Sequence, residues 1–93
     1  MFRSKLFSLL KSLNEQEFKR FGEFMNSPYY NKSIILKKLH SVYARFYPHF
    51  TGEKFTKEKI YTLLKPGEKF NESLLRNYNS DMLTLAEKFI AVQ

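Results

Sequence analysis

Apolar residues along this chain recur at intervals of three and four, the signature of helices with one buried face. Phe2, Leu6, Leu9, Leu10 and Leu13 form a first stripe, predicting a helix from about residue 2 to 12. Phe18, Phe21, Phe24 and Met25 form a second, beginning after Asn14. In the third, near residues 32–46, Ile35, Leu36, Leu39, Val42, Tyr43 and Phe46 fall within an arc of about 120°, and Pro48 stops it. Ile60, Leu63 and Leu64 mark a fourth helix over about 57–65, ended by Pro66-Gly67. The fifth and longest runs from about Glu72, with Leu74, Leu75, Tyr78, Met82, Leu85, Ala86, Phe89 and Ile90 on its apolar face.

Three of the five starts repeat one device. A capping side chain (Asn14, Thr56, Asn71) follows an apolar residue (Leu13, Phe55, Phe70), and another apolar residue (Phe18, Ile60, Leu75) sits four positions beyond the cap. This is the hydrophobic staple, and Asn14 with Glu17 adds a capping box. Periodicity and caps agree on an all-α fold: one domain over residues 1–93, a compact bundle of about five helices. Helix five is expected to be its spine, with helices two and three across its apolar arc. It reaches Gln93 without a Gly, Asn or Pro stop, as expected of the N-terminal part of a longer protein.

The junction of helices two and three, Met25 to Ser33, reads MNSPYYNKS. Pro28 disfavours helical geometry at Ser27 and ends helix two. Asn31 or Ser33 then caps helix three. Tyr29 and Tyr30 span the gap, and neighbouring side chains in an extended turn point opposite ways. One ring is expected to close the core and the other to stand outside as an aromatic anchor for a partner.

Composition narrows the function. With 43% apolar residues, ten Phe and six Tyr, 93 residues suffice for one modest core. Three Gly and three Pro are too few for a β-sandwich. No Cys is present, which removes disulfides and thiolate chemistry and suits a cytoplasmic setting. The basic N-terminus is interrupted by Lys5, Ser8 and Lys11 and reads as a mature amphipathic helix whose leucines belong to the core rather than to a membrane. No stretch approaches the roughly 18 apolar residues of a membrane span. The net charge of +7 is uneven: residues 1–46 carry nine basic and three acidic side chains, residues 47–93 seven and six.

Catalytic chemistry finds little support. His40 lies at the border of the third apolar face and His49 in the following loop, neither in a zinc-ligand spacing. Glu17, Glu58 and Glu72 sit in first turns, where the helix dipole favours them, and Lys19–Glu23 has the spacing of a surface ion pair. Gly22, Gly52 and Gly67 form no phosphate loop. No enzyme, cofactor or metal site is expected. Opposite the core stripe of helix three, Lys37, Lys38, Ser41 and Arg45 share a face with Ile34. That face is either a solvated surface or a grip for phosphates or an acidic protein.

Three resemblances bear on these readings. Residues 55–89 are similar to the second half of some winged-helix regulators, with Leu75-Arg76, Ser80 and Leu83 or Leu85 matching their helix pattern. No wing follows Phe89, and the helix carries Arg76 and Lys88 against Glu72, Asp81 and Glu87, a poor balance for the major groove. LLKSLNEQEFKRFGEFM, residues 9–25, resembles the helix 1–2 junction of death-fold domains such as pyrin domains, which implies an interaction module. Most broadly, the SPYYNK turn and the stretch from Pro66 to Asp81 resemble the N-terminal segment of a family of uncharacterised, largely helical proteins from Bacteroidetes-type bacteria. That resemblance implies a longer parent, a cytoplasmic setting and no activity to carry over. The expected function is therefore a non-catalytic protein–protein interaction or scaffolding module. Its partner is another protein or a later part of the same chain, met by Tyr29, Tyr30, Ile34, Lys37, Lys38 and Arg45. The alternative is nucleic-acid binding through Lys37, Lys38, Arg45 and Arg76.

Overall fold

The structure, a computed structural model, describes residues 4–92. Phe2 of the first stripe and Gln93 at the end of the fifth helix lie outside the described residues. Five helices follow in order: α1 (Lys5–Ser12), α2 (Glu15–Asn26), α3 (Ile34–Ala44), α4 (Lys57–Leu64) and α5 (Glu72–Val92). There is no strand among the described residues.

Each start is fixed locally by a side-chain oxygen that accepts an otherwise unpaired backbone N–H. Ser4 Oγ accepts from Phe7 at 3.4 Å, Ser33 Oγ from Leu36 at 3.3 Å and Thr56 Oγ1 from Lys59 at 3.2 Å. Asn71 Oδ1 accepts from the Leu74 N–H at 3.0 Å. At α2 the capping box closes both ways: the Glu17 N–H donates to Asn14 Oδ1 at 2.8 Å, and the Asn14 N–H to Glu17 Oε1 at 2.9 Å. Such a cap contributes about 1 kcal/mol.

The ends are set by geometry that the apolar pattern does not carry. Helix three, expected to reach Phe46, stops at Ala44. There the chain tightens: the Arg45 N–H donates to Val42 O at 3.2 Å and the Phe46 N–H to Tyr43 O at 2.9 Å. Pro48, just ahead, disfavours continued helix at Tyr47. Residues 45–56 then run without regular structure and send Phe50 and Phe55 back into the core. Phe50 has φ 51°, rare for a bulky residue. Its burial and a 2.7 Å bond from its N–H to Phe46 O hold it there.

The α5 spine touches all four other helices, most broadly α1 rather than α2 or α3 as expected. Its buried residues are Leu75, Asn79, Met82, Ala86 and Phe89, alternating steps of four and three, which is a narrow seam. Ile90 falls beside that seam and is 43% exposed, against expectation, while Asn79 is inside it. On α4 the buried set is Ile60, Tyr61 and Leu64, and Leu63, expected inward, is exposed. Lys19 and Glu23 do not pair; among the described residues the ion pairs are Lys5–Glu87 at 4.0 Å, Lys57–Glu72 at 2.6 Å and Lys65–Glu68 at 3.8 Å. The radius of gyration, 12.6 Å, matches the roughly 13 Å of a compact domain of this size. Among the described residues no helix is long and apolar enough to cross a membrane.

Candidate partner-binding surface and the α2–α3 seam

The α2–α3 junction is a locked turn. Ser27 O accepts the N–H of Tyr30 at 3.2 Å and of Asn31 at 2.9 Å. Asn31 does not cap α3, a role that falls to Ser33. It is buried instead, its Nδ2 donating to Met25 O at 2.9 Å and its Oδ1 accepting the Ser33 N–H at 3.0 Å. One asparagine thus ties the end of α2 to the start of α3.

The lock decides which tyrosine is outside. Tyr30 stacks on Phe24 at 4.3 Å, and Lys88 Nζ of α5 stands 5.9 Å from its ring centre. Tyr29 meets Tyr30 edge-on at 4.8 Å and is 83% exposed. The turn therefore presents one ring to solvent on a braced platform, as expected of the pair. Ile34, the first residue of α3, is 80% exposed. Farther along α3, Lys37 is half-buried while Lys38, Ser41 and the C-capping Arg45 are exposed. Between Glu23 and Glu53 the chain has no acidic residue, so the junction and all of α3 form a basic stretch with Lys32, Lys37, Lys38 and Arg45.

Arg76 lies elsewhere. It sits on α5 beside Glu72, whose carboxyl is held below the usual range by its hydrogen bond and charge contact with Lys57, with Arg76 adding a smaller pull. The four basic residues of the nucleic-acid reading are thus split between α3 and the α4–α5 corner.

Sequence reasoning missed the buried state of His40. Its imidazole is only 8% exposed, stacked 5.5 Å from Phe18 and edge-on to Phe21 at 5.4 Å. Nε2 has no hydrogen-bond partner. Burial pushes the imidazole below the ordinary histidine pKa. A Cβ on Gly22 would come within 3.2 Å of His40 Cε1, a tight contact, so glycine lets the ring abut α2 closely. A glycine in mid-helix, RFGEF, is the signal that could have revealed the contact, since it costs about 1 kcal/mol relative to alanine.

An open cleft of about 930 Å³ separates α1 from the start of α4. Its floor is the buried ring cluster of Phe7, Phe50 and Phe55, and two of its hydroxyls, on Ser4 and Thr56, already cap helices. Among the described residues no three His, Cys, Asp or Glu side chains gather as a metal site would require. Comparison with protein families, with curated proteins and with solved structures finds no match to this chain.

Proposed function

We propose that this chain is a non-catalytic helical docking module of the cytoplasm that binds an acidic protein surface through the α2–α3 junction and the outer face of α3. The observation that carries the reading is the outward Tyr29, held edge-on against a ring that is itself stacked on the core. A rigid aromatic anchor loses little conformational freedom on binding. Ile34 supports it. At the first position of a helix a carboxylate would serve α3 better than an exposed β-branched side chain. The surrounding stretch, free of carboxylates, favours an anionic partner.

The test uses three probes on the ¹⁵N-labelled chain: a peptide of alternating glutamate and leucine, a DNA duplex and a single-stranded RNA. The reading expects the peptide to shift the amides of Tyr29, Ile34, Lys38 and Arg45, and Tyr29→Ala with Ile34→Ser to weaken binding at least fivefold with the fold intact. Peptide binding indifferent to those substitutions overturns it. Nucleic-acid binding with a steep negative salt slope, lost on replacing Lys38, Arg45 and Arg76 by Gln, establishes the rival instead.

A further inference from the structure

We propose that the α2–α3 seam is an acid-sensitive latch, closed by neutral His40 and released when its imidazole takes up a proton. The imidazole fills a slot whose walls are Phe18, Phe21 and the bare backbone at Gly22, all from α2. Nε2 is buried and unpartnered, so in the charged ring, where both nitrogens carry a proton, the Nε2–H has no acceptor and the cation sits largely out of water. No charged side chain of α2, α4 or α5 offsets this, because burial alone displaces the titration of His40. Beyond Phe18 lies Tyr47, stacked on it at 4.1 Å, and Glu15 and Glu17 act on that phenol. Phe18, Phe21 and Gly22 of α2 all lie against the ring, so charging it works against the contact of α2 with α3. Its charged form therefore favours a state in which the seam has parted, and residues 27–33, tied to both helices through Asn31, lose their brace.

The direction follows from linkage. The folded chain holds His40 below the unfolded value of about 6.5, so the unfolded or opened state binds the extra proton. The latch is fully closed above that value. As pH falls from it toward the folded midpoint, the closing equilibrium constant drops by up to about tenfold per pH unit. Below the folded midpoint the loss is complete. The latch does not require that anything docks at the junction, although its opening loosens the turn that carries Tyr29.

Imidazole C–H resonances of the 93-residue chain followed from pH 8 to 4.5 provide the direct test, with His40 identified by its loss in His40→Phe. A His40 midpoint below 6.5 is expected, together with a larger loss of amide protection in α2 and α3 than in α1 as pH falls, once rates are corrected for the slower intrinsic exchange at low pH. Urea unfolding at pH 7 and pH 5 should show a loss of stability in the wild type that His40→Phe reduces, the carboxylates being common to both chains. A midpoint at or above 6.5 overturns the latch, as does an unchanged pH dependence in His40→Phe. Should that variant fail to fold, the wild-type midpoint and the exchange pattern still decide.

Discussion

Tyr43 and Asn79 show what a single residue contributes that no periodic pattern records. The phenol lies in the middle of the bundle and donates to Asn79 Oδ1 at 2.5 Å, across 36 residues of sequence. Burial raises the phenol well above its ordinary pKa, so it stays a donor at every working pH. Removing the hydroxyl leaves the buried Asn79 Oδ1 without its hydrogen bond. Tyr43→Phe is expected to destabilise by about 1–3 kcal/mol, measured by urea unfolding. Adding Asn79→Leu should recover part of that loss, since both polar groups then leave together. The apolar stripe of helix five was legible, but not that an asparagine sits within it. A period of 3.6 assigns faces, whereas the partner of Asn79 is known only once α3 is packed on α5. Ile34 is the opposite case, a residue whose exposed place was legible. Ile34→Glu should stabilise α3 by about 0.3–1 kcal/mol through the helix dipole while abolishing acidic-peptide binding. A loss of stability instead would mean that Ile34 serves the fold.

At the scale of elements, the capped starts were readable, and so were the ends of α2 and α4, which stop just before Pro28 and Pro66, but the end of α3 was not. Caps are decisions made within four residues, so Asn14, Thr56 and Asn71 stand where the sequence places them. The end of α3 depends on how residues 45–50 turn to bury Phe50, a tertiary matter. The contact of α2 with α3 lies between these cases. Gly22 announces a close approach without naming its neighbour, and only the fold supplies His40. In an exposed helix Gly→Ala gains about 1 kcal/mol. Here the added methyl would lie 3.2 Å from an imidazole packed between Phe18 and Phe21, which must give by a few tenths of an ångström. Gly22→Ala should therefore destabilise, by about 1 kcal/mol net once crowding of about 1–3 kcal/mol is set against the propensity gain. In a His40→Ala background the same change should stabilise. That reversal of sign in a double-mutant cycle would be the energetic signature of the seam. Additive effects would show that glycine is present for another reason.

The whole molecule carries its charge unevenly, and the same imbalance governs stability and recognition. Of the net +7, the first half of the chain holds nearly all, and nothing between Glu23 and Glu53 neutralises α3. Lys5–Glu87 and Lys57–Glu72 bridge α5 to α1 and α4, yet no such bridge reaches Lys38 or Arg45. Helix three is thus bound to the bundle by apolar contacts and one buried hydrogen bond while its outer face repels itself. A surface organised for stability alone would place a carboxylate there. Lys38→Glu should accordingly raise Tm by about 2–4 °C in 20 mM salt, and the gain should fade by 0.5 M, where charges are screened over a few ångströms. The same substitution should weaken binding of the glutamate–leucine peptide in low salt. Opposite signs for stability and binding would mark Lys38 as kept for recognition at the expense of the fold. If Lys38→Glu leaves Tm unchanged at both salt concentrations, self-repulsion on α3 is negligible and the basic face carries no such tension. Screening and binding can be read from the same pair of proteins, with thermal unfolding and a peptide titration at each salt concentration.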